Sequence, residues 1–514
     1  MTLALPGRFG HEGAGAVPRR DNDSQTMTRL TRRGFLLGSA ALAAGPAFGQ
    51  DPAPVPAPVP APDQPLAPAA PSGRAEVDVI IVGAGAAGIA AARRLSAAGY
   101  SFTLVEATDR IGGRCIAETR SFGVPFDRGA HWIHVPDINP LTKLAPRTGL
   151  DIYRAPSGQR VRIGRRDARE SELEDFLAAI VRANRSIAEA ARGRTDIDCA
   201  RALPKDLGDW QSTIEFALGP YTSASDLSEL SAVDFSKSVE RDVGAFCRQG
   251  YGALLGKLAE GIPVEFSTPV TQLDTLTRGS RVEATTPRGA LSGRYAIVTA
   301  STNVLASDRI KFDRGLPKRQ LDAIHKLKLG SFDHIALDLP GNPLGLQRDD
   351  LVFEMSSGPR TAALLANVSG TSLSLIEVGG RFGRELSAQG DKAMVDFAVE
   401  WLAGMFGVGV EAAVHRTQAT RWNAEPWTLG AFSAAVPGGQ WARKALMEPV
   451  RGRVYFAGEA VHETMWGTVG GAWESGERAA DAVVRRLSGL PEPKPAKVEP
   501  PAPPPPRRPR RRSR

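Results

Sequence analysis

Gly83, Gly85, Gly88 and Glu106 have the types and spacing to hold a dinucleotide. In Gly83-x-Gly85-x-x-Gly88 the first glycine permits a tight turn and the second lets a pyrophosphate approach the backbone. The third lets a helix pack closely on a strand. Free N–H groups at the start of that helix, with its dipole, would hold phosphate charge. Glu106 follows Gly88 by 18 residues, where a carboxylate would accept ribose hydroxyls. Ala87 in the turn and Ala107 after the acid complete this predicted contact set. A second glycine pair follows in ATDRIGGR (107–114), flanked by Arg110 and Arg114. A purely nicotinamide-binding half would not need it. Backbone donors around Gly113 and two guanidinium groups suit the pyrophosphate and ribityl chain of a longer, extended cofactor.

A strand, a turn and a helix must position these residues. Val77, Val79, Ile80, Ile81 and Val82 read as a buried parallel strand that runs into the glycines. An Ala/Leu-rich helix reaches to Gly99, and a second strand over 101–105 ends on Glu106. Residues 171–193 carry Leu173, Phe176, Leu177, Ile180 and Ile187 in a helical pattern. Residues 251–300 read as helix, short strands and a glycine-turned hairpin, and no internal repeat is visible.

Two further motifs, FDRGAHWIH (126–134) and VYFAGEAVHETMWGTVGGAWESGERAA (454–480), extend the pattern. Together with the glycine motif they make residues 76–490 resemble the flavin-dependent amine oxidase family, which includes monoamine oxidases, polyamine oxidases and flavin histone demethylases. The resemblance implies an α/β fold: a Rossmann-type FAD-binding domain interleaved with an α+β substrate domain. Its segments would be 76–145, 246–304 and 436–490 for FAD, and 146–245 and 305–435 for substrate, the latter carrying a largely antiparallel sheet over the flavin. It implies that Gly129, Ala130 and His131 line the cofactor site, that Val270 meets the adenine, and that Gly458 and Glu459 bind the ribityl or pyrophosphate region. Thr468 and Val469 would lie against the isoalloxazine, where a helix N-terminus can stabilise charge on the reduced ring. Trp422 and Trp427 would wall the pocket, and Trp473 reads as core.

Departures from the family refine these expectations. Ala431 stands where monoamine oxidases carry the cysteine that links to flavin, so FAD should be held non-covalently. Phe432 and Thr468 match the two cage tyrosines, so the aromatic cage is half lost, as in polyamine oxidases and histone demethylases. His131 would face the substrate channel, or else be a core histidine bonded to backbone. His334 replaces a lysine that orders water opposite flavin N5. It would either act as the water-ordering base or leave oxygen reactivity weak, with electrons then passing to a carrier. The implied reaction is oxidation of a primary or secondary amine to an imine. An L-amino-acid oxidase needs an arginine clamp, for which Arg421 is a candidate, and a flavin-bound assembly protein is the non-enzymatic alternative.

The 514 residues, 42% of them hydrophobic, suffice for two or three domains. The formal charge of +8 sits in the ends: residues 491–514 carry eight Lys/Arg against two Glu, and residues 1–50 six Arg against three acids. The body is close to neutral, which gives nucleic-acid binding no support, and no metal-ligand set is called for. The PPPPRRPRRRSR tail reads as disordered. Thr31-Arg32-Arg33-Gly34-Phe35-Leu36 before a short apolar stretch resembles a twin-arginine export signal over 1–50, with cleavage before Gln50 and Met27 a candidate start. A Pro/Ala linker follows over 51–75, and a periplasmic address is expected. Three cysteines, Cys115, Cys199 and Cys247, give no disulfide framework.

Overall fold

The computed structural model describes residues 76–239, 243–277 and 281–491, so the expected signal, linker and basic tail lie outside the described residues. The opening strand, Glu76–Val82, is apolar on both faces because both are covered: Val79, Ile80 and Ile81 expose no surface. It pairs in parallel with Phe102–Val105 on one side and Gly289–Val298 on the other. Gly289–Val298 also runs parallel to Val454–Phe456 and turns back antiparallel on Arg281–Thr286, the expected hairpin. Gln272–Thr277 and Lys311–Phe312 complete a seven-stranded sheet. The first and last described strands therefore belong to one sheet.

The helix Ala86–Ala97 is rich in alanine because it packs on the last helix, Val469–Leu487, at backbone distance. A Cβ added at Gly476 would stand 2.1 Å from the Ala87 carbonyl oxygen, so no larger residue fits that crossing. Trp473, fully buried on the same helix, packs in the core, as expected of it.

The second seven-stranded sheet runs in the order Arg416–Ala419, Phe332–Asp338, Leu373–Gly379, Ala363–Leu365, Leu351–Glu354, Arg160–Ile163 and Arg166–Asp167. It is antiparallel except where Leu351–Glu354 meets Arg160–Ile163. Along Phe332–Asp338 the two-residue alternation sorts the side chains. Phe332 and His334 face the cavity, while Ile335 and Leu337 pack under the helix Asp391–Phe406. Backbone pairing, not composition, sets the segment boundaries. Lys311–Phe312, past the expected limit at 304, joins the first sheet. Gly244–Cys247 bridges the limit at 245, pairing with both Ile133–His134 and Ile152–Arg154.

Candidate active site

One cavity, with an empty volume of about 1850 Å³, runs between the two sheets. Every residue expected at the cofactor and reaction sites lines it except Gly88. That exception follows from the different jobs of the three glycines. Gly83 has φ +100°, a conformation open to glycine, and a Cβ there would meet Thr299 Oγ1 at 2.6 Å. A Cβ on Gly88 would lie 1.9 Å from the Gly83 carbonyl oxygen, so Gly88 is a packing residue. At Gly85 the nearest protein atom to an added Cβ is Gly113 Cα at 4.0 Å. That space is left to a ligand.

The Glu106 carboxylate is fixed by three donors: the Ala84 N–H at 2.7 Å, and the Thr108 N–H and hydroxyl at 2.9 Å each. These orient it over the glycine turn and leave one lone pair, on Oε2, for a ribose hydroxyl. Arg110 donates to the Gly113 carbonyl at 3.0 Å, and burial lowers its pKa. Arg114 reaches across to the C-terminal motif, donating to the Ala431 carbonyl at 2.6 Å and to Glu459 Oε1 at 2.9 Å. Glu459 also accepts from the Ser433 hydroxyl at 2.7 Å and the Gly467 N–H at 3.0 Å. Burial works against its charge, but Arg114 and Ser433 hold its carboxyl below the usual value. The same loop rests on buried Arg443, which donates in a two-pronged bond to Asp234 and also donates to the Ala460 carbonyl and the Ser433 hydroxyl.

At the other end the cavity becomes a chamber walled by Phe332, Phe432 and Tyr221. The Phe332 and Phe432 rings are 5.9 Å apart. His131 and His334 both hang from Asp127. The carboxylate accepts from His131 Nδ1 at 2.8 Å, and the backbone carbonyl accepts from His334 Nδ1 at 2.9 Å. Glu377 lies directly across the strand pair from His334, with Oε1 3.4 Å from Nε2. Burial opposes a charge on this imidazole, yet the Glu377 carboxylate and the Asp127 carbonyl lift its pKa above that of an ordinary histidine.

The profile of flavin containing amine oxidoreductases matches residues 86–484. This chain belongs to that family. As a flavin containing amine oxidoreductase it carries out FAD-dependent amine oxidation. It is 26% identical over 449 residues to polyamine oxidase 4 of Oryza sativa subsp. japonica, covering 80% of this chain and 90% of that one. It is 27% identical to lysine-specific histone demethylase 2 of Homo sapiens, where 79% of this chain spans only 53% of the relative. Its fold is that of cyclohexylamine oxidase from Brevibacterium oxydans IH-35A, with a TM-score of 0.68, 22% identity, and coverage of 80% of this chain and 99% of that one. Putrescine oxidase bound to putrescine superposes with a TM-score of 0.67 at 20% identity, over 80% of this chain and 100% of that one.

The residues present fit FAD in this oxidoreductase. The open space at Gly85, the oriented Glu106 and the two guanidinium groups suit its nucleotide half, and the flavin half has the wall from Gly129 to Val469. FAD is held without a covalent bond, since the position facing it in the glycine-rich segment is Ala431, which has no thiol. Two expected side chains are spent on the protein. Thr468 caps the last helix, accepting from the Gly471 N–H at 2.9 Å and donating to the Met465 carbonyl at 2.7 Å. Arg421 donates to the Ser387 carbonyl and faces Asp391, away from the cavity, which removes it as a carboxylate clamp. Trp422 and Trp427 both wall the cavity, Trp422 donating to the Arg128 carbonyl at 3.0 Å. Sequence reasoning missed Asp127, Tyr221 and Glu377. Glu377 had a signal, being a lone acid inside the apolar strand LSLIEVG. Asp127 and Tyr221 had none that periodicity could supply.

Proposed function

We propose that this enzyme oxidises a primary or secondary amine, a monoamine or polyamine without a carboxylate beside the nitrogen, to an imine that water then hydrolyses. The observation that carries this reading is the charge of the chamber wall. Among the described residues the guanidinium groups lining the cavity are Arg110 and Arg114, both at the nucleotide end. The chamber itself holds Glu377, histidines and aromatic rings. Such walls suit a cation or a neutral amine and give no partner to an amino-acid carboxylate. The names of its relatives, polyamine oxidase, putrescine oxidase and cyclohexylamine oxidase, support the same class. When bound, the flavin accepts the two electrons of the amine as a hydride. The chain's own work is to orient the α-carbon, exclude water and receive the ammonium proton. Anaerobic mixing with a panel of amines and L-amino acids tests this: amines should bleach the flavin and amino acids should not. Bleaching by amino acids alone overturns it.

Two further parts of the reading rest on sequence. The acceptor is oxygen or a periplasmic electron carrier, separated by assaying peroxide under air. The Thr31–Leu36 motif supports export by the twin-arginine route, which carries folded, flavin-loaded proteins. Replacing Arg32 and Arg33 by lysine should retain active, FAD-loaded protein in the cytoplasm. Undiminished periplasmic activity counts against that address.

A further inference from the structure

His131 and His334 stand on one cavity wall and share Asp127, yet the hydrogen bonds around them are opposite. The carbonyl that faces His334 Nδ1 can only accept, so Nδ1 carries a hydrogen. Its Nε2 then faces the Glu377 carboxylate at 3.4 Å. A bare lone pair against a buried carboxylate would be repulsive, so the pair holds a further proton between the two atoms. His334 is 3% exposed and Glu377 not at all, so water does not take over that role. In His131 the carboxylate of Asp127 engages Nδ1, while Nε2 is buried on the cavity wall with no hydrogen-bond partner. Asp127 is itself pinned by the Tyr251 N–H at 3.1 Å and the Gly252 N–H at 3.3 Å, and the His131 ring stacks on Phe246 at 4.6 Å.

We propose that Glu377 is a positioning residue that locks His334 as a double hydrogen-bond donor, leaving His131 Nε2 as the group that takes the proton from an arriving ammonium. The inference rests on the amine reading above. In the transfer an N–H bond of the ammonium breaks, its electron pair stays on the amine nitrogen, and the proton bonds to Nε2. Asp127 stabilises the imidazolium that results, and the neutral amine is then fit to lose hydride. His334, with no lone pair to offer, forms with the Glu377 carboxylate a pair of no net charge whose two N–H groups are both engaged, so the chamber still suits a cation.

The titratable groups facing each ring are few. Around His334 they are Glu377, the Tyr221 phenol beyond it, the Asp127 carboxylate, and Asp333, which is turned to the opposite face. Burial and the Glu377 carboxylate push the Tyr221 phenol well above its usual value, so it stays protonated. Around His131 they are Asp127 and, near that carboxylate, Cys115, Cys247 and Tyr251, all raised by burial and hence neutral. His334 gains a partner on folding and its pKa rises. The lock is therefore complete below the ordinary histidine value and is lost as pH climbs through the raised one.

The test uses the holoenzyme with nitrogen-labelled histidine, the imidazoles being assigned by single His→Gln variants. At neutral pH His334 should show both nitrogens protonated and His131 only Nδ1. Glu377→Gln should lower the proton affinity of His334 at least tenfold. In anaerobic stopped flow, His131→Gln should slow flavin reduction about 10²-fold near neutral pH and remove the acid limb of its pH profile. Glu377→Gln should keep that limb and move the alkaline one. A singly protonated His334 in the parent enzyme overturns the lock, even where Glu377→Gln fails to fold. An unchanged profile in His131→Gln overturns the acceptor role. Intact spectra with no amine reducing the flavin at any pH would instead sink the amine reading while leaving the lock in place.

Discussion

The nucleotide end and the reaction end of the cavity are made of different material. Around Gly83–Glu106 the wall is backbone, drawn from one unbroken stretch in which strand, turn, helix and strand follow in order. Around His334 the wall is side chains from separate elements, the strands Phe332–Asp338 and Leu373–Gly379 and the turn Ala217–Tyr221, and Asp127 of the strand Phe126–Asp127 holds the histidines from behind it. A backbone site tolerates little change at its glycines but needs few particular side chains. A side-chain site depends on register between strands, so one exchanged partner alters its chemistry without altering the fold.

The largest effects should come at the glycines, and the two should fail differently. Gly88→Val drives a side chain into the Gly83 carbonyl, so the protein should not fold and soluble yield should collapse. At Gly85 an added Cβ meets only Gly113 Cα, at an ordinary contact distance of 4.0 Å, so in Gly85→Val circular dichroism should stay native while bound FAD is lost. If both variants lose FAD with the same stability, the division of labour between the glycines is wrong.

Next is the buried support of the C-terminal motif. Asp234→Ala leaves Arg443, 1% exposed, without its carboxylate. Breaking such a pair costs about 3–5 kcal/mol, readable as a lower denaturation midpoint. A loss within 0.5 kcal/mol would show that Arg443 finds other partners. Smaller again, Glu106→Ala removes the acceptor of the Ala84 and Thr108 donors and of the ribose. FAD affinity should fall by about 1.5–3 kcal/mol, roughly 10- to 100-fold, by equilibrium dialysis. Full retention would move the adenosine elsewhere.

The smallest effect sits behind the reaction end. Burial, only partly offset by the Trp422 N–H and the Thr420 hydroxyl, raises the Asp333 carboxyl from 3.8 to about 6. A raised acid binds its proton more tightly when folded, so its contribution is full below 3.8 and is lost as pH rises to about 6. Asp333→Asn keeps an oxygen for both donors and removes that loss. It should stabilise the enzyme by about 1–3 kcal/mol at pH 7 and not at all near pH 4, by thermal melts across pH. A difference independent of pH would show that Asp333 does not titrate in this range.

The sequence by itself determined the nucleotide end and the family, because both rest on local order. The strand Val77–Val82, the three glycines and Glu106 announce a dinucleotide turn with no help from the rest of the chain. Ala431 likewise excluded a flavin thioether by its residue type alone. Only the tertiary structure decided what each side chain is free to do. Thr468 is a helix cap, and Arg421 is turned to Asp391. Glu459 spends its oxygens on Arg114, Ser433 and Gly467. His334 and Glu377 are 43 residues apart in sequence and opposite each other in strand register. That juxtaposition is set by which backbones pair across the sheet, and long-range pairing leaves no period or spacing in the sequence from which to read it.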